Sequence, residues 1–318
     1  MQPYHLPVHF LSACFGFLTA VLDFITLKAL YDKGKNLKQS GAIIVSITCH
    51  FVFSAIVLVH CVYMTLLLGG YLPRSDNFIF YSGSVLYAFE STIGICNLFV
   101  AVGRVLVMWL PLAYNQSHRC DLKRATFFSI AFLVICFITA FSLCRNPGPP
   151  KESLAFIHYI DIRVVQVLHW FDALVSIFNV VITVVFVQEL KKYLAKTRAN
   201  LIIYCERTTK VQINELVYYQ LVTEVFIISI PILVTAVLNL VWKTSIPKKV
   251  GPYPITIAVL YTACCAVLFS SVNYLVPSLL RLCHEIQHMY PPMSPLDVGM
   301  DLGLLTVIPD VQRMSEVM

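Results

Sequence analysis

The chain has 318 residues, of which 58% are hydrophobic and only 13% charged, about half the charge of an average soluble domain; its mean hydropathy is +0.77. That excludes an ordinary soluble globular domain. The net charge of +6 is spread over short connectors with no dense basic–aromatic stripe, which excludes nucleic acid as a partner.

A helix crossing a bilayer core of about 30 Å needs ~20 mostly apolar residues. Seven stretches meet this, near 8–30, 42–68, 79–110, 125–144, 165–188, 215–242 and 255–280. The predicted breaks are polar or carry turn signals: Asp32-Lys33-Gly34, Gly69-Gly70, Pro111, Arg145-Asn146-Pro147-Gly148, Glu189-Leu190-Lys191-Lys192, and Pro247 through Pro254. The apolar runs are continuous and do not alternate, so they read as helices in lipid and not as barrel strands. The expected fold class is an all-α membrane protein. A seven-helix bundle with a short juxtamembrane helix takes up residues 1–288, and residues 289–318 form a flexible cytosolic tail.

Charge placement orients the bundle. With the amino terminus outside, the inner loops and tail hold fourteen Lys and Arg residues and the outer segments seven; cytoplasmic loops carry the excess of basic residues. The first stretch has no basic leader, so it reads as a retained span. Of the eleven cysteines, most fall within spans, where a thiol behaves as a small apolar group. No outer disulfide framework is expected.

Charged groups at membrane depth are costly and mark candidate sites. Glu90 stands in the outer half of the third span, with Tyr87 before it, and His169, Trp170 and Asp172 stand on the fifth. These five are the candidate ligand-pocket residues. Asp23 and the asparagines Asn97, Asn179, Asn239 and Asn273 read as hydrogen-bonding glue between helices. Arg104, near the inner end of the third span, is a candidate switch. Its possible partners are Glu215 and Glu224 on the sixth span, nine residues apart and therefore on opposite faces at ~100° per residue. Glu215 is the favoured partner. Pro231 removes a backbone hydrogen bond from the middle of the sixth span, and Asn273, Tyr274 and Pro277 form a second polar kink in the seventh.

His284-Glu285-Ile286-Gln287-His288 matches the H-E-x-x-H zinc pattern. However, Tyr290-Pro291-Pro292 stops any helix within a turn, and no third ligand is well placed. No metal and no cofactor is expected, and the segment reads as an amphipathic helix on the inner leaflet. Cys283 beside it is a candidate for lipidation.

Seven spans, a basic third inner loop and an arginine near the end of span three resemble a seven-helix receptor of the G-protein-coupled type. The run from Tyr87-Ala88-Phe89-Glu90 through Gly103-Arg104-Val105 to Leu110-Pro111-Leu112 is similar to span three of the nematode serpentine chemoreceptors, class BC among them. The resemblance implies a small, odorant-like external ligand bound within the bundle, a heterotrimeric G protein as cytosolic partner, and a multi-pass protein in the plasma membrane of a sensory cell. Departures narrow what carries over. Only Arg104 matches the arginine of the acid–Arg–aromatic triplet of rhodopsin-like receptors. Asn273-Tyr274-Leu275-Val276-Pro277 is not their Asn-Pro-x-x-Tyr order. The position of the amine-binding aspartate falls on Leu86, so the resemblance implies no amine ligand.

The reading is therefore a non-enzymatic chemosensory receptor. A transporter or channel is the alternative, to be favoured by internal repeats and Gly/Pro-broken helices in matching halves; none is visible. An intramembrane metalloprotease, resting on His284 and His288 alone, comes third. The sequon Asn115-Gln116-Ser117 falls in the second inner loop, out of reach of glycosylation. Mass spectrometry of the protein from intact cells should find Asn115 unmodified; a glycan there would invert the topology.

Overall fold

The computed structural model describes residues 5–32, 41–109, 119–146, 156–199, 214, 216–242 and 254–271. Among them, seven helices are long and apolar enough to cross a membrane, which makes this a multi-pass, all-helical membrane protein. They are α1 (His5–Asp32), α2 (Gly41–Leu68), α3 (Asp76–Trp109), α4 (Arg119–Leu143), α5 (Ile162–Ala199), α6 (Leu216–Leu238 as a span, continuing to Trp242) and α7 (Pro254–Ser271). A short 3₁₀ turn, Phe156–Tyr159, precedes α5.

Most ends fall where the local chemistry predicts. After Leu68, Gly70 takes φ +78°, a conformation that costs a residue bearing a Cβ about 1–2 kcal/mol. That turn lets the Gly70 N–H reach the Leu67 carbonyl at 3.1 Å and the Tyr71 N–H reach that of Leu66 at 2.9 Å, satisfying carbonyls that a helix end leaves free. The expected break at Glu189-Leu190-Lys191-Lys192 is not a break. α5 runs through it to Ala199, because charge alone does not stop a helix. The four residues are good helix formers, and Lys192 Nζ donates to Glu189 Oε1 at 2.7 Å across one turn. The polar sequence marks where the helix leaves the apolar layer, not where it ends.

α3 lies at the centre, touching α2, α4 and α5, with buried residues from Ile79 to Val105. α4 is peripheral, and Phe127, Phe128, Phe132 and Ile135 on it are exposed, as side chains facing lipid tails would be. α1 and α7 are joined by hydroxyl pairs, Ser12 to Thr256 at 2.9 Å and Thr26 to Ser270 at 3.1 Å. Both pairs are 244 residues apart in sequence, so the two helices run in the same direction, as two odd-numbered crossings must.

One end of the bundle is closed without a disulfide. Eight described cysteines are all free. In place of a cross-link, the segment entering α5 is clasped to the start of α3. Asn146 N–H donates to the Tyr159 carbonyl at 2.8 Å and Asp161 N–H to that of Cys144 at 3.0 Å, pairing the chain ahead of α5 with the chain leaving α4. Tyr159 O–H donates to Asp76 Oδ1 at 2.7 Å, and the same oxygen accepts from Arg74 Nε at 2.6 Å. Burial, and after it the hydrogen bond to Asp76, push the Tyr159 phenol up to about 12, so it keeps its proton and remains a donor at physiological pH. Arg145 donates to Asn77 Oδ1 at 2.7 Å and lies 4.5 Å from the Phe80 ring centroid.

Phe156 is the apolar core of the clasp. It stacks on Tyr87 at 5.0 Å, meets Phe141 edge-on at 5.5 Å and sits against Gly83, where an added Cβ would lie 2.5 Å from its Cδ2. Gly83→Ala should therefore lower the melting temperature of the purified protein, an overpacking cost of about 1–3 kcal/mol. Phe156→Ala should also lower it, and the double variant should lose less than the sum, because both changes act on one contact. Strict additivity would mean that the ring does not rest on Gly83.

Candidate functional site

Three helices each present one stripe to a common cavity. On α3 the stripe is Tyr87, Glu90, Ser91 and Gly94; on α5 it is His169, Asp172, Val175 and Asn179; on α6 it is Glu224, Ile228, Pro231 and Thr235. Spacings of three and four residues place such groups on one helix face. Pro254, Ile257 and Ala258 of α7 complete the wall. The cavity leaves about 80 Å³ open to the centre of a water-sized sphere, several times the ~10–15 Å³ that one water molecule needs.

Gly94 brings the stripes together. A Cβ there would lie 2.9 Å from Val175 Cγ1 and 3.5 Å from Asn179 Nδ2, so only a glycine lets α5 approach this closely. The approach lets Asn179 Nδ2 donate to the Gly94 carbonyl at 2.9 Å and to Glu224 Oε1 at 2.7 Å. One amide group thus ties α3, α5 and α6 at the cavity. One turn along α6, Gln220 Nε2 donates to Asn97 Oδ1 at 3.0 Å, a second rung between α6 and α3. Further across the bundle, the buried His50 ring of α2 meets Tyr261 of α7 edge-on at 5.8 Å.

Immediately after Glu224 the α6 backbone widens. Val225–Ser229 is a π-helical turn, closed by Ile230 N–H to the Val225 carbonyl, and Pro231 follows. Proline lacks an N–H and its ring crowds the carbonyl four residues back, here that of Ile227; the wider turn ahead of it relieves that crowding. Single π turns inside α-helices cluster at functional sites. The sequence indicates the proline but not this turn.

The structure brings together four of the five candidate pocket residues: Tyr87, Glu90, His169 and Asp172 all line the cavity. Trp170 does not; it is 58% exposed and lies outside the lining. Glu224 and Pro231, assigned on sequence to the switch, are cavity residues as well. Glu224 is 1% exposed and engaged by Asn179, at the level of Gly94, which is ten residues or ~15 Å along α3 from Arg104. Arg104 itself is half-buried on α3. Glu215, Asn273, Tyr274, Pro277, Cys283 and the His284–His288 pattern lie outside the described residues. Asp23 is buried on α1, with both carboxylate oxygens lacking a hydrogen-bond partner among the described residues.

Sequence reasoning missed Gly94, Ser91 and Gln220 and took Asn179 as simple glue. The available signal was the co-phased run Tyr87–Glu90–Gly94, in which a glycine shares the face of an intramembrane acid. No protein-family model matches the chain, and no curated protein matches it.

Asn179→Leu would leave the Gly94 carbonyl and the Glu224 carboxyl buried without their donor. Thermal unfolding in micelles should show a loss of about 1–2 kcal/mol, larger than for Val175→Ala beside it. Equal losses would make Asn179 a packing residue.

Proposed function

We propose that this chain is a chemosensory receptor of the G-protein-coupled type. It lies in the plasma membrane of a sensory cell with its amino terminus outside, and it binds a small external molecule in the cavity between α3, α5, α6 and α7. A heterotrimeric G protein reads the result at the Arg104 end of the bundle. One observation carries the reading: the cavity wall includes both Glu224, directly before the π-helical turn of α6, and Pro231, two residues beyond it. An occupant therefore touches the irregular part of a helix whose other end, through Gln220, is bonded to α3. Interfaces of this kind have discrete alternative packings, and a ligand that favours one of them shifts the population.

The positive-inside bias of the loops supports the orientation, and the resemblance of span three supports the receptor class. With Glu224 engaged at the cavity, the reading assigns Glu215 as the resting partner of Arg104.

Cells expressing the chain should give second-messenger responses to members of an odorant panel. Arg104→Ala should abolish the response, and Glu215→Gln should raise basal signalling, because typical couplings of ~1–3 kcal/mol change a population about 5–150-fold. Silence across the panel, together with uptake of a radiolabelled solute by vesicles containing the protein, would replace the receptor reading with a transporter.

A further inference from the structure

The cavity is acidic, and its free hydrogen-bonding atoms are chiefly acceptors. Glu90, Asp172 and Glu224 all line it, and among the described residues no lysine or arginine does. Isolated carboxylates in a low-dielectric wall are costly unless a counter-charge or donor meets them. Among the described lining residues the protein supplies no counter-charge, and its donors are neutral: Asn179 and Asn97 toward Glu224 and Ser91 toward Asp172. Glu224 Oε2 has no hydrogen-bond partner among the described residues, and neither has Asn179 Oδ1, although both side chains are 1% exposed. Both amide contacts of Asn179 Nδ2 are used, to Gly94 and Glu224, so its remaining oxygen can only accept. Two buried acceptors on neighbouring helices, bonded to each other through their other ends, have one further protein donor near them, the Asn97 amide of α3, whose Nδ2 is otherwise unpartnered. Ser91 hydrogen-bonds toward Asp172, and His169 Nε2, also lining the cavity, lacks a partner among the described residues; its ring can turn to suit an occupant.

The rest of the wall sets the shape of the guest. Val175, Ile228, Ile232, Ile257 and Ala258 offer no polar side-chain atoms, so the body of the ligand is apolar and compact. The space of about 80 Å³ admits several heavy atoms, where one water needs ~10–15 Å³.

We propose that the cavity binds a small organic cation, a primary or secondary ammonium on a short apolar skeleton, with the ammonium donating to Glu224 and Asn179 and its single charge balanced by one ionised carboxyl group among Glu224, Asp172 and Glu90, the other two being neutral. The inference rests on the receptor reading for its consequence, while the binding itself stands on the cavity. It departs from the expectation drawn from Leu86. That position is a fully buried leucine, and the acid stands one helical turn further along α3, at Glu90.

The test uses the full chain in lipid nanodiscs and three probes of one carbon skeleton: isopentylamine, isopentanol and isovaleric acid. Calorimetric titration should show the amine binding about tenfold tighter or more than the alcohol and the acid, as a charge-assisted contact requires. Glu224→Gln and Asp172→Asn should each weaken the amine about tenfold or more and leave the alcohol within about threefold. Melting of each variant without ligand checks its fold; if Glu224→Gln does not fold, Asp172→Asn and Glu90→Gln carry the comparison. Alcohol or acid binding as tightly as the amine would overturn the cation proposal and leave the receptor pocket standing. Stabilisation by sodium chloride without amine binding would overturn it in favour of an inorganic ion. No binding by any of the three probes would overturn the cation proposal, while the responses of expressing cells to the odorant panel decide the receptor reading separately.

Discussion

The structure turns on the side-chain amide of Asn179. In a bilayer no water satisfies an exposed polar group, so every such group must find its partner inside the protein. Asn179 answers this for three helices at once, donating to the Gly94 carbonyl of α3 and the Glu224 carboxyl of α6 from its own place on α5. The arrangement needs a glycine, because any larger residue at position 94 would drive Val175 away. It also leaves unused acceptors on Asn179 and Glu224. The group that holds the bundle together at its middle is therefore the group that leaves the cavity polar and incompletely satisfied.

The two halves of α3 do different work around that point. Toward Asp76, the helix is fixed: Phe156 on Gly83, Tyr159 on Asp76 and Arg145 over Phe80 clasp the chain entering α5. Tyr87 belongs to both regions, stacking on Phe156 and facing the cavity. Toward Trp109, the contacts with α6 are fewer polar rungs, Gln220 on Asn97 among them. A hydrogen-bonded clasp thus stands on one side, and an α6 backbone with a π turn and a proline on the other. In the proposed receptor, a second packing of α6 against α3 would be the means by which a small shift at the cavity becomes a larger one elsewhere.

Much of this was legible in the sequence, for reasons that also mark its limits. Span positions follow from apolar run length, and the observed spans, such as Ala42–Leu68 and Asp76–Trp109, lie within a few residues of those expected. The break placed at Glu189 failed because a polar run ends the apolar layer without ending a helix. Tyr87, Glu90, His169 and Asp172 meet at the cavity because intramembrane polar groups turn inward. Trp170 does not, since adjacent residues point ~100° apart and the rotation of α5 cannot be read from composition. Its aromatic ring and its neighbour's imidazole look equally suitable in sequence, but only His169 lies on the stripe with Asp172 and Asn179. The joint role of Glu224 was hidden for a different reason. Its partner is neither a charge nor near in sequence but an amide 45 residues away, and no spacing rule connects them.

The central claim is that an occupied cavity changes the relation of α6 to α3 at the Arg104 end. Spin labels introduced as noncanonical amino acids at Trp109 and Tyr219, both exposed, would report that relation directly by pulsed electron resonance. On this account, a compound that evokes a second-messenger response shifts the distance distribution between the labels by several ångströms, on the scale of known helix movements, and Asn179→Leu removes the shift. An unchanged distribution at saturating compound, with the response intact, would contradict it.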